Sequence, residues 1–211
     1  ELEFRIEEYT SLGVSTKHQD FHITHHQVSK YKSELMNGKI SKIATVDKVL
    51  ETKVLVGFTR LKSGDITSRK GQELMFANPP QNPTERWLPA IKTTGEGIYI
   101  ELDEKSVREW EQDPLIQDRI LGVSKYVGEN QINLPRGSAY SITARYFLVH
   151  TFSHMLMNQL IFECGYSAAS LSERLYVSAA NSSTPMAGLL IYTGSDSDDG
   201  TLGGLVRMGK I

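Results

Sequence analysis

Residues 141–163, SITARYFLVHTFSHMLMNQLIFE, run without a glycine or proline, and no other stretch restricts the fold as strongly. Wound as a helix at about 100° per residue, the polar side chains fall into two strips. Arg145, Gln159 and Glu163 gather on one side, while His150, Thr151, His154 and Asn158 gather roughly opposite. A helix with wide apolar flanks and two opposed polar strips is mostly buried. One strip can face water, and the other must find partners inside. The histidines are therefore expected to point at something. Gly165, just past the run, suits a helix stop.

Histidines at i and i+4 share one helix face, close enough to hold one zinc. Zinc hydrolases use this spacing with a glutamate between the two, as H-E-x-x-H, where the glutamate is the general base. Here the segment is His150-Thr-Phe-Ser-His154. The base is absent, and no nearby cluster of His, Asp or Glu offers an obvious third ligand, which catalytic zinc normally needs. The pair reads better as a hydrogen-bonded core or interface seam, with His150 and His154 kept as metal candidates for a hydrolase alternative. Cys164, at the helix end, reads as a packed small hydrophobe rather than a nucleophile.

The first half reads as mixed and strand-rich. Residues 1–12, ELEFRIEEYTSL, alternate in part. The polar stretch with His18, His22, His25 and His26 reads as a surface loop, since it lacks cysteines or paired carboxylates. VLETKVLVGFTR, 49–60, has the alternation of a strand. The three prolines in residues 77–87 mark a loop. WLPAIKTTGEGIYIELD, 87–103, reads as two strands turning at Gly95-Glu96-Gly97. Asp103 can cap a short helix that buries Trp110. Near the other end GLLIYT, 188–193, is a buried strand feeding a turn at Gly200-Thr201-Leu202-Gly203-Gly204. That turn could cradle a phosphate, as in a nucleotide sensor. However, Asp196, Asp198 and Asp199 would repel one, and there is no Walker lysine. A tight turn packing a helix on the strand fits better.

Composition adds bounds. Net charge is -2, so no bulk attraction to nucleic acid follows. Of the 23 lysines and arginines, 12 fall within the first 70 positions. This leaves room for a weak local basic face, with Lys30, Lys32 and Arg60 as candidate DNA-facing residues, although scattered lysines are normally solvated surface. One cysteine excludes an internal disulfide and, with no leader-like segment, suits a reducing cytoplasm. No apolar run reaches the ~18 residues of a membrane span. The sequence lacks an initial Met and stops just after a glycine-rich turn, so it reads as a fragment of something longer.

The run HTFSHMLMNQL…ECGYSAASLSERLYVS…GLLIYTGSDSDDGTLGGLVRMG closely resembles the C-terminal domain of DrmB, the helicase-associated component of DISARM anti-phage systems. The same domain type, the MrfB-type zinc-binding (MZB) domain, occurs in the MrfA/MrfB DNA-repair helicase proteins. KVLVGFTR, WLPAIKTTGEGIYIELD and LPRGSAYSITARYFLVHT resemble DrmB as well, so the likeness covers the chain from about Val49. The resemblance implies a non-catalytic partner of a DEAD-like helicase of the DrmA kind, acting on DNA in bacterial or archaeal defence, with the motor in a separate chain. No Walker lysine, DEAH-type box or nuclease signature speaks against this. The family's zinc-binding cysteines lie mainly beyond GGLVR, and this sequence has only Cys164. No cofactor is therefore carried over to it, while zinc in a full-length protein stays open. The family motif positions are His150, His154, Arg174, Thr201, Gly203, Gly204 and Arg207.

The expected fold is α+β: a mostly antiparallel sheet across 49–102 packed on a long buried helix at 141–163, closed by a strand–turn–helix. A doubly wound α/β sheet is the alternative. The expected division is an N-terminal mixed segment, 1–48, and a DrmB-like domain, 49–211.

Overall fold

The computed structural model describes residues 2–18, 20–30, 38–55, 87–129, 143–167, 170–193 and 204–209. Its strands are β1 (Thr16–Lys17), β2 (Phe21–His26), β3 (Ile40–Val54), β4 (Ala90–Leu102), β5 (Leu171–Val177) and β6 (Ala187–Thr193). They form one antiparallel sheet in the order β1-β2-β3-β4-β6-β5. The helices are α1 (Leu2–Leu12), α2 (Glu104–Glu111), α3 (Pro114–Glu129), α4 (Ala144–Cys164) and α5 (Gly204–Gly209). The α+β expectation holds, and the doubly wound alternative falls because every pairing is antiparallel.

Strand alternation gives the sheet two apolar faces. One carries Ile43, Ile98, Ile100, Leu175, Leu189 and Ile191, and packs on Val149 and Leu160 of α4 and Leu205 of α5. The other carries Ala44, Val46, Tyr99, Tyr176 and Leu190 against Ile6, Tyr9 and Leu12 of α1. Tyr9, Tyr99 and Tyr176 meet there with ring centroids 5.9–6.3 Å apart, a spacing at which edge and tilted ring contacts are favourable.

Several expectations are corrected. Residues 2–12 are helix, because Ile6, Tyr9 and Leu12 recur every three positions and reach the sheet together. The histidine stretch is largely strand β2: Phe21 and Ile23 pair onto β3, and His25 Nε2 and His26 Nε2 go to separate partners, Leu12 O and Thr45 Oγ1. The sheet is not confined to 49–102. It starts at β1, and β3 begins at Ile40 and crosses position 48. Val56, Phe58 and all of the proline loop but Trp87 lie outside the described residues.

Gly95-Glu96-Gly97 is not a turn either. β4 runs straight through it, since both glycines let neighbouring backbone come close. A Cβ on Gly97 would stand 2.6 Å from the carbonyl oxygen of Ile191, and one on Gly95 would collide with the carbonyl of Thr193.

The far end of α4 follows its sequence signal, Gly165 closing the helix with φ +73°. The helix begins at Ala144 rather than at the head of the 141–163 run, with Thr143 accepting a hydrogen bond from the Tyr146 backbone N–H. Asp103 caps α2 through the Ser106 N–H, but Val107 is the fully buried residue of that helix and Trp110 is only half-buried. α4 is buried along one side rather than all round: Met155 and Phe162 point outward, Phe162 with 82% of its surface exposed. Among the described residues no helix is long and apolar enough to cross a membrane.

Candidate functional site

α4 sets Tyr146, His150 and His154 on one stripe at four-residue steps. Tyr146 and His150 stack with centroids 5.3 Å apart. The two imidazoles meet edge-on, their Nε2 atoms 3.0 Å apart. What they point at is Glu173 of β5. Its Oε1 lies 3.4 Å from His150 Nε2 and 3.5 Å from His154 Nε2. The second carboxylate oxygen, Oε2, is buried and has no hydrogen-bond partner among the described residues.

The third group that sequence reasoning missed is therefore Glu173, and a signal for it existed. In LSERLYV strict alternation puts Glu173 on the same face as Leu171, Leu175 and Val177, all of which join the core beneath α4. A carboxylate in that apolar row needs a cation or hydrogen-bond donor beside it. Glu173 also acts on Tyr146: burial first, then the Glu173 charge, raises that phenol above its ordinary value. Among the described residues His150, His154 and Glu173 are the group of three that could hold a metal ion.

Two buried charged groups frame this region. Arg145, placed by the sequence in the water-facing strip, is instead 1% exposed. Its Nη1 and Nη2 donate to Glu104 at 2.8 and 2.9 Å, and Nε and Nη2 donate to Glu111 at 3.2 and 2.9 Å. Gln159 and Glu163 of the same strip do stay in water, bonded to one another. On β4, Glu96 is buried and accepts from Tyr166 Oη at 3.0 Å and from the Leu205 and Val206 N–H groups at 3.0 and 3.4 Å. It thereby holds the first turn of α5. Burial, then the bond to and charge of Glu96, pushes the Tyr166 phenol up to about 12. Cys164 is a half-buried thiol raised by burial, then by Glu163 and Glu96, as befits a packing group.

No protein-family model matches the chain. Over 176 residues it is 31% identical to DISARM protein DrmB of Bacillus paralicheniformis, a match covering 81% of this chain and 29% of that protein. The chain is DrmB-like. The resemblance read from its motifs thus extends across most of its length, and the chain spans less than a third of the length of the DrmB it matches.

The positions that the resemblance marked as motif residues do not converge on one place. His150 and His154 meet Glu173 on the α4 face of the sheet. Arg174, one residue on, points to the opposite face, where Nε and Nη2 grip the two oxygens of Glu8 on α1. Gly204 opens α5 where a Cβ would run into the Tyr166 hydroxyl held by Glu96, which gives this glycine a packing reason. Arg207 is exposed on α5. Thr201 and Gly203 lie outside the described residues, as do Lys32 and Arg60. Lys30 ends the short 3-10 turn Val28–Lys30.

Proposed function

We propose that this chain is a module of a DISARM-type defence protein, without a reaction of its own, that docks on a DEAD-like helicase of the DrmA kind in the cytoplasm and helps it hold DNA. The likeness to DrmB over 81% of the chain carries this reading. The outward side of α4 supports it: Met155 and Phe162, seven residues apart and so on one stripe, stand in water as large apolar groups. An aromatic anchor of this kind is what a partner surface buries.

Co-purification with a helicase of the DrmA kind, with and without DNA, tests the proposal. The wild-type chain should be retained by the helicase, Phe162→Asp should weaken retention at least tenfold, and DNA retention by the complex should fall steeply with salt. A wild-type chain that never co-elutes with the helicase removes the docking reading. A second reading, a metal-dependent hydrolase, gains a third ligand from Glu173, yet no carboxylate stands between the histidines to act as base. Turnover of a substrate by the isolated chain would favour it over docking.

A further inference from the structure

We infer that His150, His154 and Glu173 form a binding site for one divalent cation of the zinc class, joining α4 to the edge strand β5. The carrying observation is the triangle of ligand atoms, with sides of 3.0, 3.4 and 3.5 Å. A tetrahedral zinc with bonds of about 2.0–2.1 Å sets its ligand atoms about 3.3 Å apart. An ion about 0.7 Å out of the plane of these three atoms meets each of them at about that bond length. Neither backbone has to move, since a helix face supplies two ligands and a strand of the sheet the third.

Charge points the same way. Two Nε2 atoms and one carboxylate oxygen converge on one point, where any single proton can bridge only one of the three gaps. Glu173 meanwhile sits in the apolar row of Leu171, Leu175 and Val177, with Oε2 buried and unpartnered among the described residues. A carboxylate so placed gains a strong electrostatic partner from a dication held at Oε1. Two imidazoles with one carboxylate select zinc or cobalt over magnesium or calcium, which take oxygen sets. The His154 side chain is 56% exposed and that of Glu173 24%, so the outer side is open. The fourth position goes to water or to a donor from a partner, as in zinc sites with three protein ligands.

The test uses the 211-residue chain stripped with a chelator, titrated with Zn²⁺ by calorimetry and with Co²⁺ by visible absorption. One equivalent of Zn²⁺ is expected, with the intense visible bands of four-coordinate Co²⁺ and a rise of several degrees in melting temperature. Glu173→Gln keeps the side-chain shape and should weaken binding at least tenfold. The His150→Ala/His154→Ala pair should abolish binding and keep the far-ultraviolet circular dichroism of the wild type. Failure of the wild type to take up Zn²⁺ overturns the site. So does unchanged uptake by the double variant, or the weak spectrum of six-coordinate Co²⁺ in the wild type, which needs no variant to fold. Binding is read on the chain alone, so this outcome and that of the helicase co-purification are independent.

Discussion

Arg145 shows what a single polar residue does inside this fold. Its guanidinium meets two carboxylates of α2 and the backbone carbonyls of Ser178 and Met186, which flank the β5–β6 connection. One side chain thus ties α4, α2 and the sheet together. Arg145→Met would leave Glu111 without this partner and Glu104 with Arg108 alone, and should cost about 3 kcal/mol, near the low end for a broken buried pair because Glu104 keeps Arg108 at 2.7 Å and 35% of its side chain in water. Urea unfolding of the variant measures it. Although burial alone would raise it, hydrogen bonds from Arg145 and Arg108 hold the Glu104 carboxyl below its ordinary value of 4.5. A carboxyl depressed in the folded state contributes stability that is complete above 4.5 and is lost as pH falls below it. Acid unfolding should therefore be steeper for the wild type than for Glu104→Gln, which starts less stable. At this scale the histidine pair was legible from its four-residue spacing. Glu173 was legible only as a carboxylate in an apolar row; its meeting with the histidines was not, because the position of its strand under α4 depends on the whole crossover, and Arg145 was misplaced because periodicity names a face without naming its neighbours.

Elements were legible where a local rule sets them. Asp103 capping α2, Gly165 ending α4, and the apolar run of β6 all follow from short-range chemistry. The error at Gly95-Glu96-Gly97 has a tertiary cause. Turn chemistry and close strand approach both select glycine, and only the position of β6 decides between them. Gly97→Ala puts a methyl against the Ile191 carbonyl and should destabilise by about 1–3 kcal/mol by prying β4 from β6. Thermal unfolding with an intact β3–β4 amide exchange pattern would locate the damage. Glu96→Gln keeps the shape but weakens the two acceptor bonds to α5, so exchange should quicken at Leu205 and Val206 first.

For the molecule as a whole, the sheet works only when both faces are covered. α1 seals one of them through Tyr9, Leu12 and the Glu8 link to Arg174 and Tyr176. A chain lacking residues 2–12 should bind a hydrophobic dye and lose the near-ultraviolet signal of its packed tyrosines, while keeping sheet content by far-ultraviolet circular dichroism. A truncated chain that stays dye-free would mean that α1 is dispensable to the core. The fold class was readable because the segments are long and their periods distinct. The strand order was not, since β6 sits between β4 and β5.

That interleaving has a consequence during synthesis. β3 and β4 can pair as soon as both have left the ribosome, but the other margin of β4, with Ile98, Tyr99 and Ile100, waits for a partner about ninety residues downstream. Through that interval the nascent chain carries a naked apolar rim able to recruit other strands. Translation pauses before residue 193, or chains cut short there, should therefore give clumped rather than soluble product.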